Sequence, residues 1–299
     1  MTKTTEPPAS TDAELTALAA TIDAYLTAWL DERPLPGNLK EAIRYALLGP
    51  GKRLRPILVI RSCEAVGGKA DDALAAAAAV EMVHAFSLVH DDLPSMDDDD
   101  LRRGRPTLHR HTSEAMAILA GDALMGLAVE LVSTRLSPDD LASRVSRELI
   151  RGCNDMIVGQ VYDTLPGFDE AADPMERLKT IHRHKTGSLI RASCRMGAIC
   201  GGADDRKLGR LTAYGEAVGL MFQVMDDLLD VTGTTERLGK TAGKDAHQRK
   251  LTYPALVGID GSRAEARRLR EQALAALKGF AAEAEPLRQL CEHLAVRTK

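Results

Sequence analysis

The residues best suited to chemistry in this sequence lie between His84 and His109. An apolar stretch ends there in six carboxylates within ten positions, and three arginines follow at once. Like charges at this density repel one another strongly unless cations offset them. Mg²⁺ is usually held by one or two carboxylates together with substrate phosphates, so the pattern predicts Mg²⁺ on the aspartates and phosphate on the arginines. The alternative is a solvated acidic loop that its basic neighbours neutralise. The residues are Asp91, Asp92, Asp97, Asp98, Asp99 and Asp100, followed by Arg102, Arg103 and Arg105.

A second acidic stretch, Met221 to Val231, favours the metal interpretation. Asp226 and Asp230 are four residues apart and therefore share one face of a helix, with Gln223 three residues earlier on that face. Asp227 is turned away from them by roughly 100°. Because strongly apolar residues separate these carboxylates, we expect the acidic face to be partly buried. It is suited to be the second half of a metal–diphosphate site.

Composition limits the classes of protein that fit. The chain has 299 residues, of which 44% are hydrophobic, and its net charge of −4 argues against a nucleic-acid binder. Its five cysteines show no C-x-x-C pair, so we expect reduced thiols in a cytoplasmic protein. Residues 1–11 lack the apolar core of a signal peptide and are predicted to be a disordered tail before a single domain at 12–299. The apolar run 73–89 contains Glu81 and His84, which predicts a buried helix and no stable membrane insertion.

Helix signals dominate the rest of the chain. Thr11 followed by Glu14 matches a capping box, and apolar residues then recur at helical spacing as far as Trp29. Strand-like alternation is almost absent, and no internal repeat or low-complexity linker is visible. The sequence therefore predicts one all-α domain. After a first helix, the predicted helices cover about 38–48, 55–66, an alanine-rich segment ending near 92, 113–136, 138–165, 174–200, 204–231, 252–259 and 262–296.

Further candidates for phosphate binding lie upstream of the first acidic motif. The segment Gly51-Lys52-Arg53-Leu54-Arg55-Pro56 comes at a predicted helix start, where free N–H groups and the helix dipole favour anions. Arg55 can donate two hydrogen bonds to one phosphate and Lys52 adds a point charge; the alternative is an ordinary basic turn. His84 stands two helical turns before Asp91 on nearly the same face, although a lone histidine there is more often a core residue. Polar candidates further along the chain are Lys185, Thr186 and Lys240.

Taken together and in this order, the motifs resemble those of the trans-polyprenyl diphosphate synthases, and among them the bacterial farnesyl diphosphate synthases. The resemblance spans about Gly51 to Pro254 and implies a single-domain isoprenoid-synthase helical bundle around a deep central cavity. It also implies a homodimer and about three Mg²⁺ ions per active site, with Mn²⁺ as an alternative metal. The implied reaction is head-to-tail condensation of isopentenyl diphosphate with dimethylallyl or geranyl diphosphate, giving farnesyl diphosphate and diphosphate.

The resemblance assigns roles to the residues that match the family motifs. Metal ions are implied at Asp91, Asp92, Asp97, Asp226, Asp227 and Asp230, with Asp227 in a supporting role. The diphosphate of isopentenyl diphosphate is implied at Gly51, Lys52, Arg55, His84 and Arg103. The allylic diphosphate is implied at Arg102, Lys185 and Lys240. Thr186 and Gln223 are implied to line the reacting carbons, and the predicted catalytic set is Asp91, Asp97, Asp226, Lys185, Thr186 and Gln223.

Product length is predicted from Phe86 and Ser87, which stand five and four residues before Asp91. In this family a bulky aromatic residue at that position closes the bottom of the cavity, which implies a farnesyl product. The alternative is that Phe86 is an ordinary core residue, because an ideal helix places it about 140° from Asp91. Geranyl and geranylgeranyl diphosphate synthases use the same chemistry and stay open as alternatives.

Two interpretations from other classes also stay open. A metal-dependent phosphohydrolase is suggested by His90 and Asp91, but it needs further metal-ligating histidines and leaves the second acidic stretch without a role. A non-catalytic subunit of a prenyl synthase would typically lack one aspartate motif, whereas both are intact here.

Overall fold

The computed structural model describes residues 9–165, 167–168, 172–232 and 251–296, and most of them are helical. The helices are α1 (Ala9–Asp31), α2 (Gly37–Leu47), α3 (Leu54–Ala65), α4 (Ala70–Asp91), α5 (Leu108–His111), α6 (Glu114–Arg135), α7 (Asp139–Thr164), α8 (Pro174–His182), a π-helix (Arg183–Gly187), α9 (Ser188–Cys200), α10 (Asp205–Thr232), α11 (Tyr253–Ala276), a 3₁₀ turn (Ala282–Ala284) and α12 (Glu285–Val296). Two short strands, β1 (Leu101–Arg102) and β2 (Arg105–Pro106), form an antiparallel hairpin. The predicted all-α fold class is confirmed.

Helix α4 forms the centre of the bundle. It packs against α3, α6 and α9, and its residues from Ala75 to Val83 are buried. Its small alanine side chains let the surrounding helices approach closely without leaving voids. Helix α10 packs against α9 and α11. Helix α9 therefore connects the helix that carries the first acidic motif to the helix that carries the second.

Both acidic motifs lie where their helices end or approach their ends. Helix α4 stops at Asp91 because Pro94 disfavours a helical conformation at the residue before it. The chain then curls back on the helix end and continues into the β1–β2 hairpin. The second motif occupies the last two turns of α10, which ends at Thr232.

The structure corrects several predicted boundaries. Helix α1 begins at Ala9, so three positions of the predicted tail are helical, while residues 1–8 lie outside the described residues. The predicted helix 174–200 is interrupted by the π-helix. The break expected after residue 259 falls at Gly258, whose φ of 72° kinks α11 without ending it.

Two helices of the described residues are long and apolar enough to cross a membrane on length and composition alone: α4 and α6. Most of α4 is buried inside the domain, so it is the core helix that the sequence predicted. Helix α6 is less completely covered and exposes Ile118, Leu119 and Met125.

Candidate active site

The first acidic motif forms a compact loop at the end of α4. The N–H of Asp97 donates to the carbonyl oxygen of Asp91 at 2.8 Å, and the N–H of Asp98 donates to that of Leu93 at 3.1 Å. These bonds return Asp97 to the helix end beside Asp91. Asp98 adopts a left-handed conformation with φ of 47°, which aspartate tolerates better than most residues. The two carboxylates predicted to bind metal therefore share one edge of the loop.

Asp91 lies in an environment that disfavours its charge. Its half-buried position, which removes the carboxylate from water, and the neighbouring Asp97 raise its pKa to about 6, against the opposing charge of Lys185. A carboxylate crowded by others in this way gains stability when a cation arrives. This is the electrostatic setting expected of a metal ligand.

Asp92 and Arg102 bind each other in this structure. The Nε of Arg102 donates to both carboxylate oxygens of Asp92, at 2.9 and 2.8 Å, and Asp92 is only 3% exposed. The pair fixes the hairpin to the end of α4. The predicted roles of Asp92 at a metal and of Arg102 at the allylic diphosphate stay predictions.

On α10 the three acidic residues have different surroundings. Asp227 accepts a hydrogen bond from the N–H of Tyr253 at 2.9 Å and lies 3.8 Å from the Nε2 of His182, so it fastens the start of α11. Asp230 is 5% exposed, and its Oδ1 has no hydrogen-bond partner among the described residues. A buried carboxylate oxygen without a donor is well suited to a cation. For Asp227 the structure shows an anchoring contact, and direct metal binding stays a prediction.

Each acidic motif lies close to a cationic residue of another element. Lys185 lies close enough to Asp91 to lower the pKa of that carboxyl, and Asp226 of α10 lies close enough to Arg55 of α3 to raise the pKa of that guanidinium. The π-helix links the two motifs, because Lys185 interacts with Asp91 at the end of α4 while the neighbouring Thr186 donates a hydrogen bond to Gln223 of α10.

The π-helix presents two of the predicted catalytic residues. The ammonium group of Lys185 lies 2.6 Å from Asp163 of α7, and the hydroxyl of Thr186 donates to the Oε1 of Gln223 at 2.6 Å. Two glycines make room for this segment. A Cβ on Gly159 would lie 2.1 Å from the backbone nitrogen of Lys185, and one on Gly219 would lie 2.8 Å from the Cα of Gly187.

The predicted binding site for isopentenyl diphosphate is a cluster of cations. A Cβ on Gly51 would come within 2.5 Å of the Nη1 of Arg103, so a larger residue there would displace that guanidinium. Burial lowers the pKa of Arg55 to about 10. Removal from water, reinforced by Arg55 and Arg103, lowers the pKa of the half-buried His84 well below 6.5. The imidazole is therefore neutral before an anion binds, and Lys52 lies exposed at the edge of the cluster.

The structure adds three residues that the sequence did not single out for the site: Arg53, Glu81 and Asp163. Asp163 binds Lys185 from 22 positions earlier in the chain, a separation that carries no local signal. Arg53 is 4% exposed and belongs to the protein interior, not to the exposed basic turn. Glu81 was the one carboxylate inside an alanine-rich run, and that mismatch was a signal for a buried ion pair.

The predicted chain-length residues and Lys240 are the site residues that remain. Phe86 is buried in the core and meets the ring of His90 edge-on at 5.0 Å, while the hydroxyl of Ser87 donates to the carbonyl of His84 at 2.9 Å. A role for Phe86 as the cavity floor stays a prediction. Lys240 lies outside the described residues.

The acidic residues suit Mg²⁺ that is shared with a phosphate ligand. Among the described residues no three histidine, cysteine or acidic side chains converge to form a metal site by themselves. Mg²⁺ keeps several waters and commonly completes its octahedral shell with substrate phosphate oxygens. Asp91, Asp97, Asp226 and Asp230 would supply the protein oxygens, and the unpartnered Oδ1 of Asp230 fits that purpose.

Comparison with known proteins decides the family. The sequence profile described as "Polyprenyl synthetase" matches residues 36–292. This chain is a member of the polyprenyl synthetase family. The family assignment covers both acidic motifs and the basic segment at Gly51. The chain resembles the bacterial farnesyl enzymes no more specifically than it resembles other members of the family.

Individual relatives agree with this assignment. The Arabidopsis thaliana protein named geranylgeranyl pyrophosphate synthase 12, chloroplastic, is 50% identical over 234 residues, which are 76% of this chain and 65% of the relative. The chain thus spans about two-thirds of that relative's length or slightly less. The crystal structure of geranylgeranyl pyrophosphate synthetase from Pyrococcus horikoshii Ot3 superposes with a TM-score of 0.87 at 30% identity, covering 96% of this chain and 98% of the other.

A third comparison is with a putative farnesyl-diphosphate synthase from Marinomonas sp. MED121. Its crystal structure has a TM-score of 0.78 and 38% identity, and covers 94% of this chain and 97% of that chain. These likenesses confirm the single-domain isoprenoid-synthase bundle that the motifs implied.

Proposed function

We propose that this polyprenyl synthetase catalyses the Mg²⁺-dependent head-to-tail condensation of isopentenyl diphosphate with an allylic diphosphate. The observation that carries the proposal is that each of the two acidic motifs interacts with a cationic residue of another element. Asp91 interacts with Lys185, and Asp226 interacts with Arg55. Such an arrangement can bind one diphosphate through metal and lysine and a second one through arginine.

The acidic side of the site is suited to ionise the allylic substrate. Bound Mg²⁺ would stabilise the negative charge that develops on the departing diphosphate. Asp91, Asp97, Asp226 and Asp230 would hold it, and Lys185 lies close enough to Asp91 to share the same diphosphate. Asp163 holds Lys185 by an ion pair of 2.6 Å, so that lysine is already placed when substrate arrives.

The carbon skeleton would react beside the π-helix. The oxygens of Thr186 and Gln223 lie 2.6 Å apart and can stabilise the positive charge of the allylic cation. With substrates bound, the surrounding core helices would keep water from trapping that cation. The attacking isopentenyl group then loses a proton, and we propose the departing diphosphate as the base. A variant that ionised the allylic substrate normally but no longer completed the deprotonation would contradict that assignment.

We propose geranylgeranyl diphosphate as the product. The support is the name of the plant relatives, several of which are 47–50% identical to this chain over more than 230 residues and are called geranylgeranyl pyrophosphate synthases. Farnesyl diphosphate, the product predicted from the sequence, is the second candidate because Phe86 places an aromatic ring five residues before Asp91. The two products share every chemical step and differ in the number of condensations.

The deciding experiment incubates the protein with labelled isopentenyl diphosphate, dimethylallyl diphosphate and Mg²⁺, followed by chromatography of the dephosphorylated products. Prenyl alcohols longer than the starting allylic alcohol are expected, and chelation of Mg²⁺ with EDTA should abolish them. In the same assay Phe86→Ala should lengthen the product if Phe86 closes the cavity. Unchanged product length at full activity would show that Phe86 is only a core residue. Phosphate release without a prenyl product would favour a phosphohydrolase, and inactivity of the folded protein would favour a non-catalytic subunit.

We further propose a homodimer and a cytoplasmic location. The support for the dimer is a set of exposed apolar residues at helical spacing on two adjacent helices. On α6 they are Ile118, Leu119 and Met125, and on α7 they are Ile157, Val158 and Val161, with Leu165 directly after the helix. Exposed apolar surface of this extent commonly marks an interface. The location rests on five free cysteines, four of them buried.

A further inference from the structure

Glu81 is a buried carboxylate that none of the roles above explains. It is 4% exposed and lies on α4, three residues before His84 and therefore on the same side of the helix. An ionised carboxylate in the protein interior is unfavourable unless positive charges and hydrogen bonds compensate for the loss of water. The cationic neighbours of Glu81 therefore indicate what its carboxylate does.

The direct partner of Glu81 is Arg53. The Nη1 of Arg53 donates to Oε1 of Glu81 at 3.2 Å, its Nε donates to Asp23 of α1 at 2.7 Å, and its Nη2 donates to the carbonyl of Gly49 at 2.9 Å. All three nitrogens of this guanidinium are thus engaged inside the protein. Arg53 has a left-handed backbone with φ of 49° immediately before α3, a conformation that needs support from its surroundings.

Beyond Arg53, Glu81 acts on the residues proposed to bind isopentenyl diphosphate. Its charge raises the pKa of Arg55 and of Arg103, whereas those two arginines disfavour each other and also lower the pKa of His84. The second oxygen of Glu81, Oε2, has no hydrogen-bond partner among the described residues. Within them, Glu81 is the buried anion that faces all three arginines.

We infer that Glu81 is the positioning residue of this anion site, which rests on the function proposed above. Its carboxylate is the counter-charge for Arg55, for Arg103 and for Arg53, and the guanidinium groups of Arg53 and Arg103 meet at Gly51, where their Nη1 atoms lie 2.6 and 2.5 Å from the position of an added Cβ. The incoming diphosphate then meets guanidinium groups that are already gathered, and it need not bring them together against their mutual repulsion. Glu81 touches neither the reacting carbons nor the proposed metal ligands, so its effect should fall on binding of isopentenyl diphosphate and not on the chemical step.

Steady-state kinetics of Glu81→Gln test the inference, because glutamine has nearly the same shape but no charge. We expect the KM for isopentenyl diphosphate to rise about tenfold, which corresponds to about 1.4 kcal/mol, with kcat and the KM for the allylic diphosphate within twofold of the wild type. A lower KM would show that Glu81 merely repels the substrate, and an unchanged KM would show no positioning role. Either result overturns the inference, as does an equal loss in kcat.

Asp23→Asn is the matched control. It removes the other carboxylate partner of Arg53, but Asp23 is 40% exposed at its side chain and does not act on Arg55 or Arg103. Its KM for isopentenyl diphosphate should stay within threefold of the wild type. If Asp23→Asn raises that KM as much as Glu81→Gln does, tethering of Arg53 is the cause and the counter-charge role is refuted.

A second variant covers the case in which Glu81→Gln does not fold. The double variant Arg53→Met with Glu81→Met replaces a buried ion pair by apolar groups, an exchange that proteins often tolerate. Arg55 and Arg103 again lack their counter-charge, so a KM for isopentenyl diphosphate at the wild-type value would refute the role. Failure of the proposed function is recognised separately, because the wild-type protein would then form no prenyl product in the same assay.

Discussion

At the scale of single residues, the site depends on charges whose environment has been changed by burial. Asp91 has a pKa raised to about 6 by removal from water and by Asp97. His84 has a pKa well below 6.5 because it is removed from water and because it lies among arginines. Asp91 is therefore suited to bind a cation, and the imidazole of His84 stays neutral until an anion binds. The same site can therefore take metal on one side and diphosphate on the other.

His182 gives a prediction about stability. It is 6% exposed, and burial lowers its pKa from 6.5 to about 4. Between these values the unfolded chain binds a proton that the folded protein does not, so the free energy of unfolding should fall as the pH drops from 6.5 towards 4. Between pH 7 and pH 5, the free energy of unfolding of His182→Gln should fall by about 2 kcal/mol less than that of the wild type. Urea denaturation at the two pH values would measure the difference.

The exposed His111 provides the control for this measurement. His111→Gln should leave the loss between pH 7 and pH 5 as it is in the wild type. If His182→Gln and the wild type lose the same amount of stability, the histidine is not responsible for the acid sensitivity.

Many of the site residues could be predicted from the sequence. The shared helix face of Asp226 and Asp230 follows from their spacing, and the family motifs implied that Thr186 and Gln223 line the reacting carbons. The structure adds that Thr186 and Gln223 bind each other at 2.6 Å. The partners of these residues could not be predicted in the same way. Asp163 reaches Lys185, and Asp23 reaches Arg53, through contacts between helices that are distant in sequence. Such contacts depend on how helices pack, which local periodicity does not determine.

At the scale of elements, the π-helix Arg183–Gly187 is the feature that the sequence concealed. The chain is helical on both sides of it and no proline lies within it, so the pattern predicted one helix over 174–200. Such segments are frequent at functional sites. Here the π-helix carries Lys185 and Thr186, and two glycines on neighbouring helices leave space for it.

A substitution at Gly219 tests the importance of that space. A Cβ there would lie 2.8 Å from the Cα of Gly187, and backbone cannot move aside as a side-chain end can. We expect Gly219→Ala to displace the π-helix, to lower kcat about tenfold and to lower the free energy of unfolding by about 1–3 kcal/mol. Kinetics and urea denaturation would measure both effects.

Gly209 on the same helix supplies a matched comparison. No heavy atom lies within 4 Å of a Cβ placed there, so Gly209→Ala should stabilise α10 by about 0.5–1 kcal/mol through its better helix propensity. Its kcat should be unchanged. Equal activity in both variants would mean that the close approach of α10 to the π-helix does not matter for catalysis.

At the scale of the whole molecule, the apolar faces of α6 and α7 determine the expected assembly. Leu119 is 57% exposed and Leu165 is 58% exposed, which is unfavourable for an isolated protein in water. We expect Leu119→Asp to convert a dimer into a monomer, because it places a charge in an apolar interface. Size-exclusion chromatography with light scattering would measure the mass.

Val257→Asp is the control for the assembly. Val257 is 45% exposed on α11, away from both apolar faces, and its substitution should leave the mass of the dimer unchanged. A wild-type protein that is monomeric at micromolar concentration would contradict the assignment of this surface.

The β1–β2 hairpin has a consequence for how the two substrates are aligned. Arg102 and Arg103 are adjacent, yet one binds Asp92 at the end of α4 while the other donates to the carbonyl of Pro50 beside the cation cluster. Under the proposed function, neighbouring residues of one short turn would thus reach the leaving group of the electrophile and the head of the nucleophile. Most surface turns tolerate insertions and deletions over evolutionary time. In this turn the gain or loss of a single residue would shift one substrate relative to the other, so its length should be under selection even where its side chains are not.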